Sequence, residues 1–473
     1  MSTSPSEETL AKALIALKAE HPALGISKVH ALLLQTYPDW IVSEKRTKKI
    51  LQNHGLVVQA PVQAREDEIP TTNGNNNGEA SGSGSGTPSG EKEKMVYPTS
   101  RVVNNLDVDH WSKKVAVKFF DKKKGKGLVA TQDIEEGEVV WKEEPFILAP
   151  EWELYDMQMK STACSHCSTP LTPGSPLIIP CAHSPCPARF CNRLCSARSG
   201  KTHPLLCPVQ NPASVPLLKY ARQIEWMALH ALAQVTSRIM LVNELPDDKA
   251  LKADWEVVRG FAEMGMEERF KWCFRSATSP EPDRKTWKTA YAYYIQAFKE
   301  PKTPQDEKKL KKILKKPLPS HIDHLLFSYE QGFLKGLGKM SLNLESHGGL
   351  YTLHSHLNHA CTPNLSIRHL DTRNALSRIT ARAISPIKAG EELVITYVDP
   401  NSGLKGRREA LRAWGFGICG CARCESESRL EEAARARRRK DGEDVDGANE
   451  TGNGDKRDLE DLEAELKAGL GLL

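Results

Sequence analysis

Cysteines carry the first chemical information in this chain. Of twelve, Cys164, Cys167, Cys181, Cys186, Cys191, Cys195 and Cys207 fall in one short window that also holds His203. They stand as C-x2-C, C-x4-C, C-x3-C and H-x3-C. Cysteines so placed either pair as disulfides or ligate a soft cation. No apolar leader follows Met1, so a reducing compartment is expected, where spaced cysteines serve metals more often than disulfides. Eight ligands suffice for two tetrahedral zinc sites. The window is short and rich in proline and serine, so it cannot fold on an apolar core. Metal would have to supply on the order of 10 kcal/mol per site. Cys419, Cys421 and Cys424 offer three further thiolates, one short of a tetrahedral set, and Cys361 and Cys273 stand alone.

Three more segments carry polar and glycine residues in suggestive order: "GKGLVATQDIEEGEVVWKEEP" from Gly125, "LNHACTPNLSI" from Leu357 and "AISPIKAGEELVITYVD" from Ala383. Each alone is weak, since a Gly-Lys-Gly is a turn in most proteins. In this order, with the cysteine window after the first, they resemble a SET domain with an inserted MYND zinc finger. The nearest resemblance is to fungal SET-and-MYND histone methyltransferases, over residues 100 to 425. It implies S-adenosylmethionine-dependent methylation of protein lysines, and points to the N-terminal tail of the fourth core histone. A non-histone lysine substrate, or a MYND adaptor with an inactive SET fold, stays open.

The resemblance also implies ligand sets and roles. Cys164, Cys167, Cys191 and Cys195 would hold one zinc; Cys181, Cys186, His203 and Cys207 a second; Cys361, Cys419, Cys421 and Cys424 a third. The C-x4-C pair departs from the usual C-x2-C, which leaves His183 as a substitute ligand to consider. Gly125, Lys126, Gly127, Asn358, His359, Tyr397 and Phe416 would contact the cofactor, with Lys126 directed to solvent. Ser355, Tyr397 and Phe416 would line the lysine channel, and Tyr397 would be catalytic. Each of these three has a plainer reading, as packing or bystander. A free lysine amine is protonated at neutral pH, near pKa 10.4, and must be delivered neutral; a desolvating channel achieves that. The amine must also meet the methyl donor in line, at about 3 to 3.5 Å. A phenol with its ordinary pKa near 10 is not an obvious base.

The elements that must position these residues read as α+β: small SET β-sheets with a MYND insert, a helical insert, a post-SET zinc loop and a separate N-terminal helical module. The 473 residues exceed one ordinary core. Residues 1–58 read as three helices, with Leu10, Leu14 and Leu17 at helical spacing, Ser27 as an N-cap and Gly55 as a C-cap. This segment resembles the helix-turn-helix preceding some transposase integrase domains; a scaffold or docking module is the plainer alternative. Residues 59–95 are a polar, glycine- and serine-rich linker. Then follow 96–160 and 341–400 as the two SET parts, 161–207 as the finger, 208–340 as the helical insert, 401–425 as the post-SET loop and 426–473 as a charged tail with an exposed helix near 458–467.

Net charge is only +5 and no apolar run is long enough to span a bilayer, so a membrane partner is not expected. Basic runs at Lys122 to Lys126, Lys308 to Lys316 and Arg435 to Lys440 are either solvated faces or a path toward nucleosomal DNA. The finger could dock a proline-rich peptide or only brace its neighbour. A monomer in nucleus and chromatin, with some in the cytoplasm, is the expectation.

Overall fold

The structure, a computed structural model, describes residues 5–21, 26–40, 42–53, 96–122, 124–273, 283–372, 375–415 and 418–440. It divides into two compact units, Met1–Gly90 and Glu91–Leu473. In the first, helices Glu7–Glu20, Ile26–Thr36 and Glu44–Asn53 pack around Leu10, Leu14, Leu33 and Leu51. Ser6 caps the first helix, its hydroxyl accepting from Thr9 N at 3.2 Å. The second helix begins at Ile26, so Ser27 sits in its first turn rather than at the cap. The expected cap at Gly55 and the 59–95 linker lie outside the described residues.

The second unit is built on short strands: β1 Val115–Asp121, β2 Gly125–Ala130, β3 Val139–Glu143, β4 Ile147–Leu148, β5 Ile179–Pro180, β6 Arg189–Phe190, β7 Gly349–Leu350, β8 Asn358–His359, β9 Leu365–Arg368, β10 Ile379–Ala383 and β11 Glu392–Ile395. One sheet has the order β1-β2-β11-β8, another β3-β10-β9, with β4-β7 and β5-β6 as separate pairs. Alternate strand residues, among them Leu128, Trp141, Leu365, Ala381 and Leu393, share one core with Leu353 and Leu357. Helices between Val215 and Asn343 bury a second, larger core around Trp287, Tyr294, Phe298 and Phe333.

The cysteine window between these parts has a core made largely of its own thiols. Cys164, Cys167, Cys186, Cys195 and Cys207 are buried together with Ala188 and Phe190. At the C-terminal side the chain departs from expectation. Helix Ala422–Lys440 begins within the expected zinc loop and runs through the boundary drawn at residue 425. Fully buried Arg407, on helix Leu404–Arg412, holds it by an ion pair with Glu427 at 2.5 Å. Helix Ala422–Lys440 also buries Cys424 against Leu404 and Cys361, so the start of the charged tail packs through both contacts. The helix expected near residues 458–467 lies outside the described residues.

Candidate active site

Three strands separated in sequence meet at one amide. Asn358 opens β8, which runs parallel to β11 with Val394 opposite Asn358. Its Nδ2 donates to Lys126 O at 2.9 Å and to Glu392 Oε1 at 2.8 Å. Both amide hydrogens are thus spent tying β2, β8 and β11 together. Two glycines make the approach possible. A Cβ on Gly127 would lie 2.5 Å from the Phe120 ring and 2.8 Å from Asn358 Nδ2, and one on Gly125, at φ +73°, would meet Ser100 Oγ at 2.4 Å.

Lys126, between these glycines, is 3% exposed, which corrects the expectation that it points to solvent. β2 is a central strand covered on both faces, so alternation does not turn its lysine outward. The ammonium reaches Ser355 Oγ at 3.2 Å, and the Phe261 ring centroid lies 6.0 Å away. No carboxylate pairs with it among the described residues. Burial, and secondarily the charge of Lys339, brings its pKa down to about 7.

A buried carboxylate holds the other wall. Glu143, on β3, accepts from Leu353 N at 2.7 Å, His354 N at 3.0 Å and Trp141 Nε1 at 3.3 Å. Burial outweighs these donors and pushes its pKa up to about 7. It fixes the turn that carries Ser355 and leads into Asn358. Sequence reasoning missed Glu143, because one acidic residue in a strand carries no sign of its burial.

Tyr397 follows β11. Its hydroxyl donates to Leu357 O at 2.5 Å, its N–H donates to His359 Nδ1 at 3.0 Å, and its ring lies 4.9 Å from that of Trp414. Burial raises the phenol pKa further, so Tyr397 works as a hydroxyl and not as a phenolate. His359, neutral because burial and then Arg407 hold its pKa near 4, places Nε2 3.3 Å from Cys361 Sγ. Lys126, Ser355, Asn358, Tyr397 and Trp414 line one cleft of about 250 Å³. Trp414 was missed by sequence reasoning; Phe416, two residues on, lies outside the described residues.

Three groups of candidate metal ligands come together: Cys164, Cys167, Cys191 and Cys195; Cys181, Cys186, His203 and Cys207; and Cys361, Cys419, Cys421 and Cys424. Within each, the ligand atoms lie within 4.8 Å of one another. The separations Cys167–Cys191 at 3.8 Å, Cys191–Cys195 at 3.5 Å and Cys361–Cys424 at 3.4 Å approach the edge of a zinc–thiolate tetrahedron, about 3.8 Å for bonds near 2.3 Å. His203 Nε2 lies 3.3 Å from Cys181 Sγ and 3.6 Å from Cys186 Sγ. His183 is exposed and belongs to none of these groups.

Small sheets joined at an asparagine, with a tyrosine lining a cleft beside it, are the architecture of a SET-type protein. The SET domain family model matches residues 125–398, more than half of the chain, and the chain belongs to that family. Similar proteins are named histone-lysine N-methyltransferase SET5. That of Yarrowia lipolytica is 29% identical over 91% of this chain and 84% of its own length. That of Mycosarcoma maydis is 30% identical over 65% and 67%, and that of Scheffersomyces stipitis 27% over 90% and 82%. A solved structure titled as the SET domain of LSMT bound to lysine and AdoHcy is 12% identical, covering 64% of this chain and 52% of that one, with a TM-score of 0.26.

Proposed function

We propose that this chain is an S-adenosylmethionine-dependent protein lysine N-methyltransferase acting on a core histone tail in chromatin. The observation that carries the cofactor reading is Lys126, a buried ammonium whose only described hydrogen-bond partner is a serine hydroxyl. Burying an uncompensated charge is costly, and the cofactor's carboxylate would supply the missing anion. When bound, S-adenosylmethionine provides an electrophilic sulfonium methyl. Gly125 and Gly127 leave room for it beside the backbone, and Asn358 keeps the three strands at fixed spacing. The rings of Tyr397 and Trp414 form an apolar wall that excludes water and favours the neutral amine. The Tyr397 hydroxyl orients that amine. The histone substrate is the one in the names of the similar proteins.

The three ligand groups fit zinc by donor chemistry and spacing. The first two would make a MYND finger, and the third a post-SET site that joins Cys361, next to the site, to the C-terminal segment. Four thiolates around one Zn2+ carry two net negative charges, and the Arg407 guanidinium, 3.6 Å from Cys424 Sγ, offsets part of that charge. Zinc is structural here. Asn358, His359 and Tyr397 are hydrogen-bonded into the strands around the cleft, which supports an active enzyme over an inactive adaptor.

The substrate is tested by incubating the purified protein with methyl-labelled S-adenosylmethionine and each core histone separately, and in parallel with a chromatin-depleted extract, then locating the label by mass. Label on lysines of one histone tail, the fourth core histone's foremost, is expected. Label confined to non-histone proteins of a chromatin-depleted extract would replace the substrate and leave the chemistry standing.

A further inference from the structure

We propose that Glu345, His347 and His369 form a binding site for a divalent transition cation of the zinc class, separate from the three cysteine groups. One ligand atom from each lies within 4.8 Å of the others. The residues come from the turn before β7 and the segment after β9, and the helix Trp152–Met159 begins beside them with Glu151 at its cap.

The histidines are arranged as ligands rather than as ordinary surface side chains. His369 Nδ1 lies 2.8 Å from Leu376 O. A carbonyl only accepts, so Nδ1 carries the hydrogen and Nε2 faces the cluster. That Nε2 is buried and faces Glu345 Oε2 at 4.0 Å, an ion-pair distance too long for a hydrogen bond. A backbone carbonyl fixing the far nitrogen is the usual support of a metal-bound histidine. The His347 ring stands 4.4 Å from that of His369, and its Nδ1 pairs with Glu151 Oε1 at 2.9 Å. His347 is thereby supported by a carboxylate as His369 is by a carbonyl. His354 stands next in line, under the charges of Glu345 and His369, with both ring nitrogens buried and without a partner. Buried imidazole nitrogens that lack a hydrogen bond, beside the Glu345 carboxylate that pairs with His369, are what a cation would satisfy.

Two imidazoles and one carboxylate suit zinc, iron or cobalt better than calcium or magnesium, which prefer oxygen ligands. The site has a place in the architecture. Glu345 and Ser346 line the cleft that Tyr397 and Lys126 share, so a cation here pins the loop forming part of its wall. The assignment uses no cysteine and does not depend on the methyltransferase reading.

The test is calorimetric titration of Co2+ into the full protein carrying only its three cysteine-bound zinc ions, with visible absorption recorded alongside. One saturable equivalent is expected, with weak d–d bands and no thiolate charge-transfer band. His369→Gln and His347→Gln should each weaken it at least about tenfold. Because His347 is half-exposed, its variant keeps the fold and the result interpretable. No saturable uptake, uptake unchanged in both variants, or a thiolate band showing cobalt in the cysteine groups would each overturn the proposal.

Discussion

At the scale of single residues, Lys126 does two things that sequence position does not reveal. It sits on a strand covered on both faces, and its ammonium has a pKa of about 7. The sign of its pH effect follows. In the proposed complex the cofactor's carboxylate would pair only with the protonated form, so cofactor affinity should be greatest below about pH 7 and fall as pH rises above it. Lys126→Met should lose about 2 kcal/mol of binding, roughly thirtyfold, and flatten that profile. Calorimetry across pH 6 to 9 checks both. Intact affinity in Lys126→Met would mean the carboxylate sits elsewhere. The expectation that this lysine points to solvent fails because a strand's alternation identifies its outward side only when one face is solvated.

At the scale of elements, the site depends on three backbones meeting. Gly127→Ala would press a methyl into the Phe120 ring and the Asn358 amide. Overpacking of this kind costs about 1 to 3 kcal/mol, so the melting temperature should fall by several degrees and cofactor binding with it; a thermal scan with and without cofactor reads both. A variant as stable as the parent would show that the strands can separate there. Much at this scale was legible beforehand. The segments "VAVKFF", "EGEVVWKE" and "ELVITYV", with β-branched and aromatic residues at strand length, fall on β1, β3 and β11, because such residues report directly on a pleated surface. The two-residue strands β4, β7 and β8 were not legible, since they exist only through their partners. Nor was helix Ala422–Lys440, whose polar faces carry little periodicity and whose start is held by Arg407. Cysteine spacing pointed to candidate ligands, but their sorting into groups came from resemblance. It coincides with the groups that the fold brings together.

At the scale of the whole molecule, the cysteine groups lie in segments whose small cores are made largely of the cysteines themselves. The purified protein should carry three zinc ions, one per cysteine group, before any cobalt is added. Metal analysis giving two would remove the Cys361 group, and a strong chelator should lower both folded structure and activity together. The N-terminal unit has its own core, so deleting residues 1–58 should leave turnover on a free histone peptide nearly unchanged. A large loss on the peptide would make that unit part of the catalytic machinery.

The catalytic claim rests on one hydroxyl in the cleft, and single-turnover methyl transfer to a histone substrate, read by mass with cofactor binding measured alongside, tests it most directly. Wild type should transfer methyl groups to lysine. Tyr397→Phe keeps the ring against Trp414 and should bind cofactor normally, yet lose about 3 kcal/mol of transition-state stabilisation, roughly a hundredfold in rate, or shift toward higher methylation. No transfer by the wild type, or a variant with unchanged rate and product pattern, would contradict the account.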